Sequence, residues 1–212
     1  SVITRTWSLT DDCDNTTTLV QTINIIDTTA PTFNESLPAD TTLECDAIPD
    51  GNSLTASDSC SEATVTLEEV ITDGSCENEY TLVRTWTATD SCDNTITHTQ
   101  TINVVDTTAP TFTVPTDLTI ECDVDASDLT ITGDVTDEAD NCTTALNATF
   151  TDTVAAGNCT NESVITRTWS LTDDCDNTTT LVQTINVVDT TAPTFTVPEN
   201  LTIECDVDAS DL

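Results

Sequence analysis

Apolar positions in this chain come in short alternating runs, separated by clusters of Asp, Asn, Gly and Pro. Leu118–Cys122, Ala148–Val154, Val164–Leu171 and Leu181–Val188 are rich in Thr, Val and Ile. Such composition and alternation predict short, half-buried strands. No segment repeats its apolar residues with a helical period, so an all-β chain is expected. The clearest strand is Tyr80–Asp90. Tyr80, Leu82, Arg84, Trp86 and Ala88 share one face, and Thr81, Val83, Thr85 and Thr87 share the other. The aromatic face is predicted to point inward. Arg84, beside Trp86, is expected to stack on the ring or to close a structural ion pair with an acid such as Glu44.

The chain repeats itself. Arg-Thr-Trp occurs at Arg5–Trp7, Arg84–Trp86 and Arg167–Trp169, so the tryptophans are 79 (86 − 7) and 83 (169 − 86) residues apart. Asp-x-Cys-Asp-Asn follows at Asp11, Asp90 and Asp173, and Asp-Thr-Thr-Ala-Pro-Thr-Phe begins at Asp27, Asp106 and Asp189. Ser1–Asn24 is spelled again, letter for letter, at Ser163–Asn186. The predicted organisation is the back of one repeat at 1–29, complete repeats at 30–108 and 109–191, and the front of another at 192–212. Leu212 stops where Leu129 continues into Thr130, and Ser1 starts where Ser163 does, so a stretch of a longer array is expected. A repeat of this size fits an Ig-like sandwich of about seven strands.

Ten cysteines punctuate the repeats, and none forms a Cys-x-x-Cys pair, so zinc and thioredoxin-like sites lack their spacing. Regularly placed turn cysteines predict disulfides, which persist in an oxidising, extracellular setting. No apolar run is long enough to span a membrane. Four cysteines per complete repeat allow three pairings, and spacing alone leaves all three open.

Charge then narrows the partners. Thirty-nine Asp and Glu residues stand against three Arg, a formal net charge of −36. Such a chain repels nucleic acid and anionic membranes, which excludes both as partners. Like-charge blocks often mean disorder, but alternating apolar positions and repeated cysteines describe a chain that buries a core. Only four glycines are present, which argues against Gly-rich calcium β-rolls. One histidine, His98, and no nucleophile–base spacing leave no catalytic constellation, so no enzyme is expected.

The carboxylates do suit calcium, which takes six to eight oxygens. Asp134, Asp137, Asp140, Asp173, Asp174 and Asp176 lie in loops predicted at one pole of a repeat, with Asp93 at the matching turn one repeat earlier. The linker Asp106 and the loop carrying Asp123, Asp125 and Asp128 complete the candidate set for weak sites at repeat junctions. Asn-x-Ser/Thr occurs at Asn15, Asn34, Asn141, Asn147, Asn158, Asn161, Asn177 and Asn200, as expected by chance in a chain this rich in Asn and Thr.

Three stretches carry a family resemblance: Arg84-Thr-Trp-Thr-Ala-Thr-Asp-Ser-Cys-Asp-Asn94, Thr99-Gln-Thr-Ile-Asn-Val-Val-Asp-Thr-Thr-Ala-Pro110 and Ile120-Glu-Cys-Asp123. They resemble the hyalin-repeat (HYR) branch of Ig-like domains, in particular the tandem repeats of giant Bacteroidota surface adhesins of the gliding-motility type. The chain departs from that pattern where the family's Cys-Pro becomes Leu37-Pro38, Val114-Pro115 and Val197-Pro198, and where a last-strand Cys becomes Leu19, His98 and Leu181. Asp14, Asp93 and Asp176 replace the family's turn glycine, and Asp tolerates left-handed backbone better than most residues. The Ig-like strand order that the resemblance implies puts Cys60 and Cys92 at one pole and Cys45 and Cys76 at the other. It therefore implies the pairs Cys60–Cys92, Cys45–Cys76, Cys142–Cys175 and Cys122–Cys159, with Cys13 and Cys205 bonded elsewhere. It also implies O-glycosylation at Asp-Thr sites: Thr28, Thr107, Thr190 and Thr153. The resemblance implies an exported array displayed at the cell surface. With the charge and the repeats, the expected function is a segment of an extracellular filament or adhesin stalk, an acidic spacer whose partners are neighbouring repeats and whose cofactor, from the carboxylates, is Ca²⁺. The alternatives are a module that binds surface glycans and a subunit of a self-assembling fibre.

Overall fold

A computed structural model describes residues 1–205; the last part of the predicted 192–212 segment lies outside the described residues. The fold is an all-β, sandwich-like arrangement. The chain opens with β1 (Val2–Thr10) and β2 (Thr16–Asn24), an antiparallel hairpin. Then come β3 (Thr32–Phe33), β4 (Thr41–Glu44), β5 (Ala56–Ser57), β6 (Ala63–Asp73), β7 (Tyr80–Asp90) and β8 (Thr95–Val105). After them run β9 (Thr111–Thr113), β10 (Leu118–Glu121), the single turn α1 (Leu129–Thr132), β11 (Thr136–Ala139), β12 (Thr149–Ala156), β13 (Ser163–Thr172) and β14 (Thr178–Val188). The strand order occurs twice: a four-stranded sheet ordered β4-β8-β7-β6 and a separate pair β3-β5, then a four-stranded sheet ordered β10-β14-β13-β12 and a separate pair β9-β11. In each large sheet the short first strand runs parallel to the last, Thr41 beside Ile102 and Leu118 beside Ile185.

The four strands expected at Leu118–Cys122, Ala148–Val154, Val164–Leu171 and Leu181–Val188 are β10, β12, β13 and β14, with ends moved by a few residues. The helical turn was not expected. Its cause is local: the Asp128 side chain caps it by accepting from the Thr130 N–H, and Gly133, at φ 85°, ends it. A Cβ at Gly133 would sit 2.8 Å from Pro115, so both backbone angle and space demand glycine.

Two compact units result, and they do not follow the sequence repeat. Unit 1 holds Ser1–Phe112 together with two later loops, Asp137–Ala148 and Ser170–Thr179. Unit 2 holds Thr113–Thr136, Thr149–Trp169 and Thr180–Leu212. In unit 1 the inward face of β7 is as expected: Leu82, Arg84, Trp86 and Ala88 are buried. Leu82, Ile102 and Val104 form a core with Leu43 and Tyr80 against it, and the Trp86 indole N–H donates to the Asn52 carbonyl at 2.8 Å. Arg84 does close an ion pair, but with Glu69 directly across from it on β6, not with Glu44. Its Nε meets Glu69 Oε1 at 2.8 Å and its Nη2 reaches the Pro49 carbonyl at 2.7 Å.

Unit 2 repeats the pattern with Ile120, Ile165 and Ile185 in its core. There Arg167 is fully buried and fully engaged. Its Nε and Nη2 grip Asp152 at 2.9 and 2.8 Å, its Nη1 donates to the Thr132 hydroxyl, and Phe150 lies 4.0 Å beneath the guanidinium. The fork of donors explains why arginine stands here, since lysine could not serve so many acceptors in one plane.

Candidate metal and disulfide junction

In Asp-x-Cys-Asp-Asn the aspartate builds its own turn. Asp173 Oδ1 accepts the N–H groups of Cys175 and Asn177 at 2.9 and 2.8 Å, and Oδ2 accepts from the Asn177 side chain at 2.9 Å. The same bonds form at Asp11 and Asp90. Each turn then needs a left-handed residue, and Asp14, Asp93 and Asp176 supply it at φ 64°, 64° and 67°. Asn177 Nδ2 also donates to the Asp106 carbonyl at 3.0 Å, which ties the linker to the turn. Asp140 makes the neighbouring turn, accepting from Cys142 and Thr143 at 2.8 Å each.

These turns bring three carboxylates together in unit 1. One oxygen from each of Asp106, Asp140 and Asp173 lies within 4.8 Å of the others. Asp106 is 3% exposed and Asp173 6%. Asp106 Oδ2 and Asp140 Oδ2 are buried with no hydrogen-bond partner among the described residues. A buried unpaired acceptor costs about 1–3 kcal/mol, and more when charged. Burial first, then the charges of Asp140 and Asp173, push the Asp106 carboxyl above its ordinary range. Glu44 stands at the rim, within 4.8 Å of Asp106 and of the Cys142 sulfur, and its carboxylate accepts both the N–H and the hydroxyl of Thr107. This arrangement is what a cation with oxygen ligands would relieve.

Two disulfides flank the carboxylates. Cys45 bonds Cys142, with Cα atoms 5.9 Å apart, and Cys76 bonds Cys175, at 5.2 Å. Both join one copy of the sequence repeat to a loop of the next copy, and both lie within unit 1. The pairs Cys45–Cys76 and Cys142–Cys175 are therefore corrected, and Cys60–Cys92 and Cys122–Cys159 are not bonded either: all four of those cysteines are free. Each bonded partner belongs to the adjacent copy of the sequence repeat. The loops they close, 97 and 99 residues, are long. In the chain-entropy model a loop of about 100 residues gives roughly 4.7 kcal/mol, the second bond adding less because the first has already closed most of it.

No family model matches this chain, and no curated protein does. Solved structures do. "PcdhgB3 EC1-4" aligns with 89% of this chain at 14% identity and a TM-score of 0.30, the chain spanning 57% of that structure. Mouse clustered PcdhgC3 EC1-3 aligns at 14% identity and TM-score 0.32, covering 89% of this chain and 77% of the other. Human CDH23 EC21-23 aligns at 16% and 0.30, covering 84% and 71%.

Of the calcium candidates, Asp106, Asp140 and Asp173 meet. Asp93 and Asp176 serve as left-handed turn residues, and Asp125 and Asp128 cap Ser127 and α1. Asp134 receives the Val135 N–H, while Asp123 and Asp174 are exposed. Asp137 lies in exposed β11 at φ 57°. Glu44, Asp27 and Asp58 were missed. Asp27 and Asp58 lie within 4.8 Å of each other and of the Cys60 sulfur, and Asp27 Oδ2 is another buried acceptor without a partner. Repeat equivalence would have found Asp27 and Asp58, since Asp27 aligns with Asp106 and Asp58 with Asp140. The glycosylation candidates Thr28, Thr107, Thr153 and Thr190 are all exposed, although the hydroxyls of Thr107 and Thr190 are bonded to Glu44 and Glu121.

Proposed function

We propose that this chain is a segment of an extracellular, cell-surface stalk of HYR-like repeats, a non-catalytic acidic spacer whose junctions are stiffened by calcium. The observation that carries this reading is the Asp106–Asp140–Asp173 cluster, with two buried carboxylate oxygens that nothing among the described residues satisfies. A Ca²⁺ ion would take those oxygens and fill the rest of its shell with water or rim groups such as Glu44. The disulfides beside it support the oxidising setting. Among the described residues, no helix is long and apolar enough to cross a membrane.

The test is thermal unfolding with calcium, with magnesium and with excess chelator. Ca²⁺ at about a hundred times a weak Kd would add about 2.7 kcal/mol. A rise in Tm with calcium, absent with magnesium and lost in Asp106→Asn, is expected. The same Tm in all three media would refute calcium stiffening.

A further inference from the structure

We infer that Cys60 with Cys92, and Cys122 with Cys159, are open halves of the same two-bond staple seen complete at Cys45–Cys142 and Cys76–Cys175. Cys60 and Cys92 take the Glu-Cys-Asp and Gly-x-Cys cysteines of the preceding repeat of the same polypeptide. Cys122 and Cys159 take the two turn cysteines of the following repeat. The inference rests on backbone equivalence and does not depend on calcium.

At the receiving end, Cys60 N–H donates to Asp58 Oδ1 at 2.8 Å, as Cys142 N–H does to Asp140. Cys92 N–H donates to Asp90 Oδ1 at 2.8 Å, as Cys175 N–H does to Asp173 at 2.9 Å. The Asn94 side chain holds the Asp27 carbonyl at 3.3 Å, as Asn177 holds that of Asp106 at 3.0 Å. Cys60 sulfur lies within 4.8 Å of an Asp27 carboxylate oxygen, as Cys142 sulfur does of Asp106.

The giving end matches as well. The turn carrying Cys159 is closed by Gly157 N–H to the Glu162 carbonyl at 2.8 Å and by Glu162 N–H to the Cys159 carbonyl at 3.1 Å. The turn carrying Cys76 has the same two bonds, Gly74 to Glu79 at 2.7 Å and Glu79 to Cys76 at 3.2 Å. Beside Cys122, Glu121 accepts the Thr190 N–H at 3.1 Å, as Glu44 beside Cys45 accepts that of Thr107 at 3.1 Å. Cys60, Cys92, Cys122 and Cys159 are all exposed and open to a partner. Each bond forms by exchange with an oxidised dithiol carrier: two thiols surrender two protons and two electrons, and the carrier disulfide becomes a dithiol.

The consequence is mechanical. Neighbouring repeats would be joined at every junction by three covalent paths, the linker and two disulfides. A cut in a linker such as residues 106–110 would then leave the array unbroken.

The test is a peptide map of the native array, isolated with thiols blocked and without reductant. Cys60 linked to a Glu-Cys-Asp peptide and Cys92 to a Gly-x-Cys peptide is the expected result, with Cys122 and Cys159 linked to turn peptides. Blocked thiols at these positions, or Cys60–Cys92 and Cys122–Cys159 bonds, would overturn it. Non-reduced material heavier than the reduced chain would place the partner in a second copy and also overturn the assignment. After limited proteolysis in the linkers, the array should keep its full mass until reductant is added; release of fragments without reductant would count against the staple.

Discussion

The same twenty-four letters occur twice in this chain, in different surroundings. Ser1–Asn24 and Ser163–Asn186 each fold as a hairpin closed by an Asp-anchored turn, with Thr10 bonded to Thr16 and Thr172 to Thr178 at 2.8 Å in both. Yet Trp7 is 60% exposed and Trp169 is 1% exposed. Arg5 is exposed, whereas Arg167 holds Asp152, Thr132 and Ala126. The hairpin is a local property, carried by β-branched residues and a self-capping turn. Burial is not local, because Phe150, Asp152 and Thr132 come from other strands and turns of the second complete repeat. Among the described residues, nothing plays their part around Trp7.

In a polypeptide of these 212 residues, substitution at paired positions would sharpen this contrast, and the largest effect belongs to the tryptophans. Trp169→Ala removes a ring packed 4.9 Å from Phe150 and should cost about 3–5 kcal/mol in denaturant unfolding. Trp7→Ala should stay within about 0.5 kcal/mol, as exposed substitutions do. Equal losses would mean that the first hairpin finds a core of its own.

Next come the turn cysteines. Cys175→Ser breaks a disulfide and should cost about 2–4 kcal/mol, while Cys13→Ser, at the identical turn but with no preceding repeat among these 212 residues to bond, should leave the unfolding midpoint unchanged. If both variants matched the parent, the bond to Cys76 would not form in solution.

The arginines should differ least. Arg167→Ala strands Asp152, whose side chain keeps 26% of its exposure, so a loss of about 2–3 kcal/mol is expected, below that of a fully buried pair. Arg84→Ala should cost less, because its partner Glu69 is 46% exposed. Arg5→Ala should cost nothing measurable, and a loss equal to that of Arg167→Ala would erase the contrast.

The strands of the sandwich were legible because alternation and β-branching act within each strand. The inward face of β7 followed from period two alone. The helical turn at Leu129–Thr132 was not legible, since one capped turn carries too few residues to show a period. The partner of Arg84 was missed for a different reason. Glu69 lies fifteen residues away in sequence and directly opposite only once β6 and β7 are in register. In the candidate site, Asp106, Asp140 and Asp173 were chosen with eight other carboxylates, because sequence displays charge but not which oxygens end up dry and unpaired.

By itself the sequence determined the repeat, the β class and the turns at which Asp14, Asp93 and Asp176 take the left-handed conformation. Those follow from interactions between residues a few positions apart. Only tertiary structure decided that Cys45 joins Cys142 and Cys76 joins Cys175, nearly a hundred residues on in each case. A disulfide needs its two Cα atoms within about 7 Å, and packing between repeats, not spacing along the chain, decides which sulfurs come that close.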